Sequence, residues 1–134
     1  MFDKIEHIGI AVKNLADSNI IYQKLLNTLP YKSESVASEK VETSFFKIGE
    51  SKVELLQGLD DDSPIAKFIN KKGEGIHHIA FAVKDIVSEM KRLKSDGFEV
   101  LSDTPKIGAD NKLVCFIHPK SANGVLIELC QERE

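Results

Sequence analysis

Two histidines and two glutamates occupy repeated positions in this chain. His7 opens His7-Ile8-Gly9-Ile10-Ala11-Val12, and His78 opens His78-Ile79-Ala80-Phe81-Ala82-Val83, 71 residues later. Glu54, within Val53-Glu54-Leu55-Leu56-Gln57, returns as Glu128 within Ile127-Glu128-Leu129-Cys130-Gln131, 74 residues later. Imidazole nitrogens and carboxylate oxygens bind divalent first-row metals such as Co, Mn, Ni or Zn, and four such ligands leave two octahedral positions for water or a chelating substrate. A lone strand histidine is usually a packed or surface residue. Here a duplication sets the order His, Glu, His, Glu, and two related halves can bring four ligands to one point. His7, Glu54, His78 and Glu128 are the candidate metal ligands.

The elements that must position them follow from periodicity. Residues 5 to 12 alternate bulky Ile8, Ile10 and Val12 with His7, Gly9 and Ala11, which predicts a strand whose histidine shares a face with small residues. The copy does the same, with Ile79, Phe81 and Val83 set against His78, Ala80 and Ala82. A helix is predicted over 15 to 26, carrying Ile20, Ile21 and Leu25, and another over 85 to 96, with Ile86, Met90 and Leu93 on one stripe, Asp85 as N-cap and Gly97 as stop. Further strands are predicted at 41 to 48 and 52 to 57, then at 98 to 101, 112 to 118 and 124 to 130. Glu54 and Glu128 lie opposite the bulky residues of their strands, as the histidines do. Ser63-Pro64 opens a short helix through Phe68 that ends at Lys71-Lys72-Gly73. The chain thus reads as α+β, two tandem βαβββ modules in one domain: module one about 1–58, a linker helix about 59–75, and module two about 76–134.

The remaining histidines read differently. His77 has the opposite strand parity to His78 and should face a helix or a module junction. His118, in Phe116-Ile117-His118-Pro119-Lys120, sits where proline ends a strand, and either lines a pocket rim or solvates a turn. Cys115 and Cys130 lack CxxC spacing and read as reduced, buried thiols.

Composition narrows the classes. A net charge of −3, with only Arg92 and Arg133 as arginines, argues against nucleic-acid binding through bulk electrostatics. No stretch approaches the run of about 18 apolar residues a membrane span needs, and no signal-peptide pattern opens the chain. A cytoplasmic protein is expected.

At these residues the chain resembles the vicinal oxygen chelate superfamily, whose paired βαβββ modules form a curved mixed sheet cup around a divalent metal. Within it the chain is most similar to the methylmalonyl-CoA epimerases. Asp62-Ser63-Pro64-Ile65-Ala66-Lys67-Phe68, Gly75-Ile76-His77-His78-Ile79-Ala80, Pro105-Lys106-Ile107-Gly108-Ala109 and Phe116 to Lys120 running into Gly124 to Leu129 carry the resemblance. It implies metal ligation by His7, Glu54, His78 and Glu128. It also implies an acyl-CoA substrate, a homodimer, and interconversion of (R)- and (S)-methylmalonyl-CoA by α-proton abstraction through a metal-chelated enolate. Such chemistry needs a Lewis acid at the developing negative charge and proton-transfer groups on both faces of the carbon. The resemblance assigns one such role to Glu128. The other falls at Glu42 or Thr43, of which only Glu42 has the chemistry. Lys106, Lys112 or Lys120, with His118 at the rim, could meet the phosphates of coenzyme A.

Two other readings compete. Glyoxalase I shares the ligand order, although His118-Pro119-Lys120 stands where those enzymes tend to carry an acidic turn. The scaffold also serves metal-free small-molecule binding proteins, which would not need all four ligands. An Fe(II) extradiol dioxygenase would favour a two-histidine, one-carboxylate triad.

Overall fold

The computed structural model describes residues 1–133. Its strands are β1 (Lys4–Ala11), β2 (Lys32–Val36), β3 (Val41–Ile48), β4 (Ser51–Gly58), β5 (Gly75–Ala82), β6 (Lys106–Ile107), β7 (Lys112–Ile117) and β8 (Ile127–Glu132). The helices are α1 (Leu15–Leu26), α2 (Pro64–Lys72) and α3 (Ile86–Ser95). Each half runs β-α-β-β-β with α2 between them, the α+β order expected of the repeat. By contact the chain divides into two compact units, Ile8–His77 and Met1–His7 with the residues from His78 onward. The division therefore falls within β1 and within β5, not at the linker helix.

In the unit Ile8–His77 the strands lie in the order β2-β3-β4-β1. One sheet face packs on α1, through Val12, Leu15, Phe46 and Leu55 with Tyr22 and Leu26. The other carries Ala11, Val41 and Leu56 against Ile65, Phe68 and Ile69 of α2. The α1 positions named from the sequence, Ile20, Ile21 and Leu25, are instead 53%, 59% and 69% exposed. Helix α2 begins as expected, with the Ser63 hydroxyl accepting from the Ala66 amide at 3.0 Å. Strand β2, which completes the first module, escaped the periodicity reading because its sequence, KSESV, forms a solvated sheet edge without a buried stripe.

The other unit orders its strands β5-β8-β7-β6, with the opening residues of β1 beside β5. Strands β5 and β8 pair in parallel, β8 and β7 antiparallel. One face meets α3: Ile86, Met90 and Leu93 pack on Val83, Cys115, Ile117 and Leu129. Each such apolar side chain contributes about 1.5–3 kcal/mol when fully buried. The other face carries Ala80 and Ala82 beside Glu128 and Cys130, the small residues the repeat predicted. The strand expected at 98 to 101 reduces to a single bridge, Val100 to Ile117, and the edge strand lies at Lys106–Ile107. Phe98 and Val100 supplied the misleading alternation because both pack against the α3 core from a loop.

Candidate active site and metal centre

His7, His78 and Glu128 converge within one unit. His7 comes from β1, His78 from β5 and Glu128 from β8; their exposures are 4%, 5% and 6%. The Nε2 atoms of His7 and His78 are 3.0 Å apart, and Glu128 Oε1 lies 3.6 Å from the first and 3.1 Å from the second. Ligand atoms each about 2.0–2.2 Å from a common divalent ion stand about 2.8–3.6 Å apart at octahedral or tetrahedral angles, so the three separations fit one ion. The two imidazoles meet edge to face at 5.1 Å between centroids, and the edge of Phe116 braces His78 at 6.0 Å.

A further carboxylate orients the cluster. The Nδ1 of His7 lies 2.7 Å from Glu6 Oε1, and both side chains are buried. A carboxylate only accepts, so His7 donates from Nδ1, which leaves the Nε2 lone pair aimed at His78 and Glu128. Lone pairs on three converging atoms call for a cation between them. Glu6 was not found from the sequence. Neighbouring strand residues point to opposite faces, and that rule hid a glutamate whose side chain reaches the adjacent ring.

Charge follows the same geometry. Burial alone would raise the Glu128 carboxyl; where protons rather than a cation occupy the Nε2 positions of His7 and His78, their hydrogen bonds and charge outweigh burial and hold the group down at about 2. Burial, reinforced by the Glu128 charge, pushes the Cys115 thiol up to about 11. Cys130 is buried and donates weakly to the Phe81 carbonyl at 3.6 Å. Both thiols are free, as the sequence suggested.

The remaining candidates fall as follows. Glu54 is buried at 4% exposure on β4 of the unit Ile8–His77, opposite Phe45. On β3, Glu42 pairs with Gln57, and Gln57 turns toward α1, where its side-chain oxygen accepts from the Leu15 amide at 2.6 Å. Glu42 therefore shares the α1 side of β3 and lies on the face opposite Glu54. Of the two positions Glu42 and Thr43, the one on Glu54's face is Thr43, fully buried, whose hydroxyl has no hydrogen-bond partner among the described residues. His77 meets Phe68 of α2 edge to face at 4.9 Å, the helix contact its parity predicted. His118 caps the turn at Pro119–Ala122, its Nδ1 accepting from the Lys120 amide at 3.0 Å. Lys120 approaches Glu99 at 3.5 Å, and the exposed Lys106 lies 6.0 Å over the Phe116 ring. No helix among the described residues is long and apolar enough to cross a membrane.

Residues 6–116 match the Glyoxalase/Bleomycin resistance protein/Dioxygenase superfamily. The chain is 40% identical over 133 residues to an ethylmalonyl-CoA/methylmalonyl-CoA epimerase of Cereibacter sphaeroides, covering 98% of this chain and 99% of that one. A solved hypothetical protein of Bacillus halodurans is 46% identical, with a TM-score of 0.94 over 98% of this chain and 95% of that one. A methylmalonyl-CoA epimerase of Streptomyces coelicolor, solved with 2-nitronate-propionyl-CoA, is 32% identical, with a TM-score of 0.95 over 98% and 96% of the two chains.

Proposed function

Because the chain belongs to the Glyoxalase/Bleomycin resistance protein/Dioxygenase superfamily and, within it, to the methylmalonyl-CoA epimerase family, we propose that it interconverts (R)- and (S)-methylmalonyl-CoA. The observation that carries this reading is the buried convergence of His7, His78 and Glu128 at 3.0–3.6 Å. These three would hold one divalent ion of the Co, Mn, Ni or Zn class, which when bound supplies Lewis-acid stabilisation of the charge that develops as the α-proton leaves.

The protein groups divide the rest of the work. Glu6 fixes the ring of His7 by accepting its Nδ1 proton. Glu128, one of the residues that would hold the ion, is also the carboxylate assigned to take and return the α-proton. Glu128 is 6% exposed, so its interactions act in a low dielectric. Inversion requires a second proton-transfer group on the far side of the carbon. Glu42 is not retained for that role, because β3 turns it to the α1 side. The acyl-CoA substrate and a homodimeric assembly complete the proposal.

The test is inversion. Purified protein with (S)-methylmalonyl-CoA and a stereospecific mutase acting only on the (R) form should give product at a rate set by added protein. Turnover of the methylglyoxal–glutathione hemithioacetal, with no product from methylmalonyl-CoA, would overturn the reading in favour of a glyoxalase.

A further inference from the structure

A cleft of about 790 Å³ opens in the unit that carries the histidine cluster, with Glu6, Cys130, Lys112, Glu132, Lys84 and Arg133 among its walls. It joins the cluster at Glu6 and Cys130, whose oxygen and sulfur lie within 4.8 Å of each other and of a His7 ring nitrogen. Strand register extends the connection. Phe116 lies opposite Glu128, Val114 opposite Cys130 and Lys112 opposite Glu132, so one sheet face runs from the proton-transfer carboxylate to Lys112. At about 3.4 Å per residue, four residues of strand separate them by about 14 Å, a span that an extended lysine and a substrate bridge together.

Lys112 is unusual for its type. The residue is 8% exposed, yet its ammonium has one ion partner among the described residues, Glu132 at 3.3 Å, and that side chain is 88% exposed. An ammonium carries three donors and is costly to remove from water, and a solvated glutamate is a weak counterweight. The cleft also counts four cations, Lys4, Lys84, Lys112 and Arg133, against three carboxylates, Asp3, Glu6 and Glu132. A buried ammonium on the face that carries Glu128, in a cleft whose exposed cations Lys4, Lys84 and Arg133 tip the balance positive, suits an anionic group of the reacting molecule.

We propose that Lys112 binds an oxyanion of the substrate, exchanging Glu132 for it, and so sets affinity for the anionic thioester. This rests on the acyl-CoA reading above. Such a substrate carries a free carboxylate on its acyl group and phosphates on its carrier, and both present the same acceptor oxygens to an ammonium.

The test compares wild-type protein with Lys112→Met and Lys112→Arg on methylmalonyl-CoA and on the methylmalonyl thioester of N-acetylcysteamine, which keeps the carboxylate and lacks the phosphates. For methylmalonyl-CoA, Lys112→Met should raise KM about tenfold or more with a smaller change in kcat, and Lys112→Arg should recover part of the loss. An equal loss on the truncated substrate assigns the carboxylate; a loss confined to methylmalonyl-CoA assigns the phosphates. If Lys112→Met does not fold, Glu132→Gln serves instead: it removes the internal competitor, so KM should fall, and an unchanged or higher KM would overturn the assignment. Wild-type inversion matched by Lys112→Met on both substrates would sink this inference alone. Wild-type protein that inverts neither substrate would sink the epimerase reading with it.

Discussion

Glu6, His7, His78 and Glu128 form a chain of buried acceptors and rings in which each group fixes the next. Removal of one member should therefore be read in metal content as well as rate. His7→Ala should lower the divalent metal recovered by elemental analysis, and full retention would count against the cluster. Glu6→Ala should weaken metal affinity by about 10–100-fold while leaving His7 in place, because the ring loses the partner that fixes its orientation; competition with a chelating dye reads this directly. Glu128→Gln should nearly abolish α-proton exchange in a protein with unchanged circular dichroism, since the amide cannot accept the proton. Glu42→Gln should leave turnover within about twofold, the ordinary behaviour of a surface-type substitution away from the reacting groups; a large loss would return Glu42 to the site. At this scale the sequence was legible where the duplication spoke twice, at His7 with His78 and at Glu128. It was not legible at Glu6, whose reach depends on a side-chain torsion, or at Glu42, whose face depends on β3 register with Gln57.

The repeat also shows at the helix starts. Gln57 accepts from the Leu15 amide at 2.6 Å and Gln131 from the Ile86 amide at 2.8 Å, so the last strand of each module caps its own helix. Asn14 and Asp85 cap the same helices from within, accepting from Asp17 and Ser88. These glutamines stand one turn of the pleat beyond the leucines that follow Glu54 and Glu128, which is why the two short repeats end alike. Gln57→Leu and Gln131→Leu should each cost about 0.5–2 kcal/mol, the usual worth of a helix N-terminal acceptor, read as a lower midpoint in urea. Gly58 meets a different limit. A methyl group there would collide with the Ser63 hydroxyl that caps α2, so Gly58→Ala should destabilise the protein. The elements visible in sequence were those with one buried stripe, such as α3 and β3 to β5. The two short edge strands, β2 and β6, bury little on either side and left no alternation to read.

Across the whole molecule, duplication explains why 134 residues suffice for a multi-ligand site. Each copy alone offers one histidine and one glutamate, and a βαβββ unit of about sixty residues has little core of its own. The βαβββ order was legible because both copies carry the same strand and helix signals. The partition into Ile8–His77 and the rest was not, since it depends on contacts made by the first strand of each copy. Metal binding to folded protein and not to the unfolded chain should raise the thermal midpoint in proportion to the logarithm of metal concentration. No rise with any of Co, Mn, Ni or Zn would contradict a site formed by His7, His78 and Glu128. The central claim is proton transfer at the α-carbon of methylmalonyl-CoA by a metal-dependent site. The most direct test is proton NMR of that substrate in deuterated water with purified protein, before and after EDTA and after metal is restored. The account predicts rapid deuterium uptake at the α-carbon that EDTA stops and metal restores; an α-proton signal that persists with metal present would contradict it.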